Sequence, residues 1–121
     1  MSESTETEMI NVVVLRGAVK GEPVERILPS GGVVVQFDIG SRLEGGSCTA
    51  PISMTDPPPA VRDVITDGAA VIVLGGIRRR FFRVGGQTQS RTEVVATRVV
   101  PVRRRAAIRR LLAEAAEAIA A

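Results

Sequence analysis

Residues 70–100 read AVIVLGGIRRRFFRVGGQTQSRTEVVATRVV. Two valine-rich, β-branched runs flank Gly85-Gly86, a pair suited to a hairpin tip. The pattern predicts a long strand from Ala70 to Arg83, a tight turn, and a second strand from Thr88 to Val100 that Pro101 ends. Side chains alternate along a strand with a period of two. Val71, Val73, Gly75 and Ile77 therefore share one side of the first strand, while Ile72, Leu74, Arg78, Arg80 and Phe82 share the other.

Upstream of this hairpin, Asp67-Gly68 reads as a helix stop, glycine supplying the left-handed residue. The helix it ends is short, capped by Asp56, with prolines in its first turn and Val61, Val64 and Ile65 on its apolar side. Three strands precede it. The first starts at Met9 and bends at Gly17, Gly21 and Pro23 before continuing through Val24 to Leu28. Its apolar residues lie on both faces, so both are expected to be covered. Pro29-Ser30-Gly31-Gly32 is a turn, followed by a second strand from Val33 to Arg42, with Val33, Val35, Phe37 and Ile39 on one face. After Glu44-Gly45-Gly46 comes a third strand from Ser47 to Met54, in which Pro51 argues for an edge position. Beyond Pro101, residues 103–121 are rich in Ala, Leu, Glu and Arg, with Ile108, Leu111, Leu112, Ala115 and Ile119 near helical spacing.

Three strands, a short helix and two more strands make an all-β chain: a five-stranded OB-fold Greek-key barrel with a short helix between strands 3 and 4, plus a C-terminal helix. The expected organisation is a disordered tail at 1–8, the barrel at 9–102 and the helix at 103–121.

Composition restricts function. The chain has no His, Tyr or Trp, three Phe and a single cysteine, Cys48. The commonest general base and metal ligand are thus missing, and no thiolate cluster or intrachain disulfide can form. No phosphate-binding loop, dinucleotide fingerprint or metal-ligand spacing occurs. The expectation is a non-enzyme with no cofactor and no metal. Cys48 without a base reads as a small packed side chain. The acidic stretch from Met1 to Glu8 is no signal peptide, and the lone cysteine fits a reducing cytoplasm; the expected location is cytoplasmic and nucleoid-associated. No apolar run reaches the ~18 residues of a membrane span.

The net charge of +3 is unevenly spread. Residues 1–77 carry five basic and ten acidic side chains, whereas residues 78–121 carry eleven Arg and three Glu. A concentrated Arg field points to a polyanionic partner, against the plainer reading of a solvated basic surface. Guanidinium groups can bridge phosphate oxygens and stack on bases. Arg78, Arg80 and Phe82 on one strand face, Arg91 after the hairpin and Arg42 at the end of the second strand are the candidate binding residues. Glu93, alone among these arginines, reads as a structural ion pair. Phe37 reads as core, and Phe81, on the face of Ile77, as core or rim. Outward Ile72 and Leu74 suggest a covered oligomer interface.

Residues 9–100 resemble the bacterial single-stranded DNA-binding proteins. The likeness rests on NVVVLRG (Asn11–Gly17), Pro23 and Arg26, LPSGG (Leu28–Gly32), Val35 and Phe37, Asp67-Gly68 with Val71, Val73 and Gly75, Arg78 to Phe82, and RTEVVA (Arg91–Ala96). The resemblance implies single-stranded DNA binding with low sequence preference in replication, repair or recombination, and a homotetramer. Phe82 falls where that family stacks an aromatic in its fourth strand. Around Arg42 and Cys48-Thr49-Ala50 the family's stacking aromatics are missing, and the chain ends in a basic, Ala-rich helix in place of an acidic tail. These departures keep an alternative open, a protein-interaction or assembly module with weak or no nucleic-acid binding. Nothing in the sequence separates DNA from RNA.

Overall fold

The structure, a computed structural model, describes residues 8–120. Most of the expected N-terminal tail, and Ala121, lie outside them. Five strands close a barrel in the order β1-β2-β3-β5-β4. They are β1 (Val13–Ile27), β2 (Val33–Leu43), β3 (Gly46–Thr55), β4 (Ala70–Val84) and β5 (Gln87–Pro101). A short α1 (Pro59–Arg62) sits between β3 and β4, and α2 (Arg105–Ala120) follows β5. This is the OB-fold that the element order predicts.

Closure depends on β1 serving two neighbours. Its first half, Val13 to Ala18, pairs antiparallel with β4, and its second half, from Ala18 onward, pairs with β2. The two ladders meet around Gly17, where a Cβ would lie 2.1 Å from the Gly40 carbonyl oxygen. Only glycine lets the strands cross so closely. The chain then bends at an irregularity between Lys20 and Val24, where the sequence places Gly21 and Pro23. The last seam is the shortest: β3 and β5 run parallel and pair only through Ile52 and Ser53. Pro51, which has no N–H to give, immediately precedes it. The edge expected at Pro51 is thus a nearly open seam within a closed barrel.

The barrel core is aliphatic, built from Val19, Val35, Ile39, Ile52, Val71, Val73, Val94 and Val99, with Phe37 as its only aromatic and Ile65 from beyond α1 against it. Phe37 is core, as read from the sequence. The helix cap expected of Asp56 is absent. Its carboxylate instead accepts from the Val33 N–H at 2.8 Å while its own N–H donates to the Val33 carbonyl. Pro58 takes the cap position without a side-chain bond. A carboxylate that can close the β2–β3 hairpin mouth satisfies a strand end and leaves the helix uncapped.

Outside the barrel lies a second cluster. Ile72 and Leu74, on the outer side of β4, pack with Leu111 and Ala115 of α2 and are flanked by Val12, Val100, Val102 and Ile108. The oligomer interface expected over Ile72 and Leu74 is therefore filled by the chain's own helix, and their burial requires no second subunit. The physical reason is local. Only Val102, Arg103 and Arg104 separate β5 from α2, so the helix folds straight back onto the neighbouring strand. Arg98 fixes it further through paired bonds to Glu114, at 2.6 Å from Nε to Oε1 and 3.2 Å from Nη2 to Oε2. That partnership raises the Arg98 pKa above its ordinary value. Leu112 and Ile119, expected to pack, face outward and are exposed.

Candidate nucleic-acid interface

Beyond Ile77, β4 and β5 leave the barrel as a two-stranded arm. The pairing runs unbroken from Gly75↔Ala96 to Val84↔Gln87, and every residue from Phe81 to Thr92 is exposed. Gly85 and Gly86 both have positive φ at the tip, 58° and 81°, as a two-residue turn twisted with its strands requires. Asn11 holds the root of the arm. Its side-chain amide donates to the Ile77 carbonyl at 2.7 Å and accepts from the Ile77 N–H at 2.8 Å, mimicking one more rung of the β1–β4 ladder. The sequence pattern puts Asn11 in a strand and carries no sign of this role. An amide that copies a backbone pair has no linear signature.

Residues opposite one another in this ladder share a face. Arg78 faces Glu93, Arg80 faces Arg91, and Phe82 faces Gln89. Four of the five residues selected from the sequence thus meet on one side of the arm. Glu93 is nearly completely buried beneath the guanidinium groups. Its Oε2 accepts from Arg78 Nη2 at 2.7 Å and lies 3.7 Å from Arg80 Nε. The ion pair expected of Glu93 is present. Arg80 is less well served: its Nε is buried and has no hydrogen-bond partner, and the residue directly across the strand is another cation. Like charges placed opposite destabilise a strand pair, and a buried unmet donor adds about 1–3 kcal/mol. An anion against the exposed guanidinium ends would relieve the first deficit, whereas the buried Nε keeps only the nearby Glu93 carboxylate.

Arg42 is elsewhere. It lines a shallow groove with Arg16, Lys20, Ser41, Ser47, Cys48 and Thr49, and none of the arm arginines borders it. Arg16 pairs with Ile72, six residues short of Arg78 on β4, a span of about 20 Å along the strand. The single groove expected from the sequence is therefore two cationic surfaces. Arg16 and Lys20 were missed because their membership depends on β1 crossing β2. Phe81, expected in the core or at its rim, is 65% exposed, more so than Phe82 at 37%. Alternation continues past Ile77, but the barrel that would have covered that face does not.

The arm, the closed β1-β2-β3-β5-β4 barrel and the short helix before β4 define the class as OB-fold. Among solved structures the chain is similar to a mitochondrial single-stranded DNA-binding protein of S. cerevisiae, with 16% identity and a TM-score of 0.61 over 78% of this chain and 97% of that one. It is also similar to a Plasmodium falciparum SSB solved in complex with ssDNA, with 22% identity and a TM-score of 0.62 over 75% of this chain and 89% of that one. At these identities the likeness is one of fold. No protein-family model matches the chain, and no curated relative does.

Proposed function

We propose that this chain binds single-stranded DNA with low sequence preference, using Arg78, Arg80, Arg91 and Phe82 on one face of the β4–β5 arm. The observation that carries the reading is the rung Arg80↔Arg91, two cations opposed on an exposed ladder with an aromatic ring one same-face position away. A phosphate between the exposed ends of the guanidinium groups would cancel their repulsion. A base could then stack on Phe82, an interaction indifferent to base identity because every base offers a π-face. The two structural neighbours, a mitochondrial single-stranded DNA-binding protein and an SSB held with ssDNA, support the same reading. Arg42, with Arg16 and Lys20, would guide the strand along a second, purely electrostatic path. A role in replication, repair or recombination follows from such an activity.

Titration of labelled oligo-dT across a salt series tests this. Binding should be measurable at low salt and weaken steeply as salt rises. Phe82→Ala should reduce affinity roughly five- to tenfold while leaving the salt slope unchanged, because it removes a stack and no charge. Arg80→Ala should flatten the slope. Absence of binding at low salt would refute the reading and favour a protein-interaction module.

A further inference from the structure

The face of the arm opposite Phe82 carries its own aromatic and its own cations. Arg79, Phe81 and Arg83 alternate along β4 with Phe81 in the middle, and across the ladder they face Thr92, Ser90 and Thr88. Phe81 has the more open ring of the arm's two phenylalanines. Arg79 has no carboxylate partner among the described residues, and Arg83 is steadied over the turn by a bond to the Gly86 carbonyl at 2.9 Å. The arm's only carboxylate, Glu93, lies on the other face. This side thus holds a flat ring, an arginine two residues away on either side, about 7 Å along the backbone, and a row of hydroxyls, with nothing acidic to neutralise it.

We propose that Arg79, Phe81 and Arg83 form a second contact for single-stranded nucleic acid, so that one arm holds two strand segments, one against each face. The inference rests on the arm reading above and extends it from one face to two. A base would stack on Phe81, phosphates would meet Arg79 and Arg83, and Ser90 and Thr92 would donate to phosphate or base edges. The alternative occupant, a second copy of this chain, is disfavoured by charge. Two such faces meeting would oppose arginines with no carboxylate on either side, whereas a polyanion satisfies all of them. A two-faced arm would bring distant parts of a strand, or two strands, within one protomer's width.

The test uses the full chain and two short oligo-dT probes, one carrying a fluorescence donor and the other an acceptor, each too short to cover both faces. Light scattering follows the mass of the protein in parallel. The wild type should bind two probes per protomer and show energy transfer between them. Phe81→Ala should weaken the second site about tenfold, bring the stoichiometry toward one and abolish the transfer without changing the mass. Phe82→Ala should weaken the other site and spare this one. A wild type that takes one probe per protomer, with Phe81→Ala behaving identically, would overturn the second contact and leave the first face standing. A change of mass in Phe81→Ala with unaltered probe binding would also overturn it, assigning the face to contacts between copies. If the wild type binds no probe, both readings fall.

Discussion

Glu93 sets how much of the arm's charge is free. Its buried carboxylate accepts from Arg78 and sits near Arg80, so three arginines on that face present about two net charges. An incoming phosphate must compete with it for Arg78. Glu93→Gln keeps the shape and removes the competitor. It should cost roughly 1–2 kcal/mol of stability, since a buried partner of two half-exposed cations loses its charge. It should also tighten oligo-dT binding and steepen the salt slope by about 0.7, one additional phosphate contact on a single strand. Thermal unfolding and the salt titration read these two effects separately, and weaker binding would show that Arg78 needs Glu93 for its position. Asn11 provides a second check at this scale. Asn11→Ala removes both bonds at the arm's root, and hydrogen exchange at the Ile77 N–H should accelerate about fivefold or more while core amides are unchanged.

Helix α2 is the element whose position most changes the reading. Its length and composition are legible in the sequence, but of Ile108, Leu111, Leu112 and Ile119, the residues expected to pack, Leu111 is buried while Leu112 and Ile119 are exposed. What it covers is not legible there, because Ile72 and Leu74 would look the same beneath a helix or a second subunit. The structure gives them the helix, so Ile72→Glu should lower stability by undocking α2. A charge placed in that cluster has no partner. Leu111 is almost fully buried, and Leu111→Ala should cost about 2–4 kcal/mol. Leu111→Asp goes further: it should free α2, make the chain sensitive to cleavage after Arg105 or Arg110, and uncover an apolar patch. Limited proteolysis should show slow clipping at those sites in the wild type and rapid clipping in the variant. Light scattering should show the variant self-associating. Equal protection of both proteins would mean that the Arg98–Glu114 pair holds the helix without Leu111.

For the whole molecule, the separation of the two cationic surfaces decides how affinity responds to salt. A strand touching only the Phe82 face, with its two net charges, should give a slope of about −1.4 in log affinity against log salt. A strand that also runs through Arg16, Lys20 and Arg42 should approach about −3.5. Lengthening the oligonucleotide should reveal the transition between these values, since about 20 Å separates the two patches along the barrel. A slope that stays shallow at every length would show that the Arg42 groove takes no part. With so few rings available, most of the affinity should be electrostatic and fade quickly as salt increases.

The sequence by itself determined the barrel. Period-two alternation, turn glycines and the placement of one short helix are local signals, and an OB-fold is the arrangement that satisfies all of them together. It also placed Arg78, Arg80, Phe82 and Arg91 on the β4–β5 hairpin, because strand periodicity extends through exposed and buried segments alike. Only the tertiary structure decided which surfaces are covered. Phe81 and Val73 have the same parity in β4, yet one stands in solvent and the other is fully buried, since the barrel ends between them. Arg42 stands apart from the arm, in a groove shared with Arg16 and Lys20, because the crossing of β1 over β2 brings together residues more than twenty positions apart. Burial depends on what the rest of the chain lays over a strand, and alternation within the strand carries no record of it.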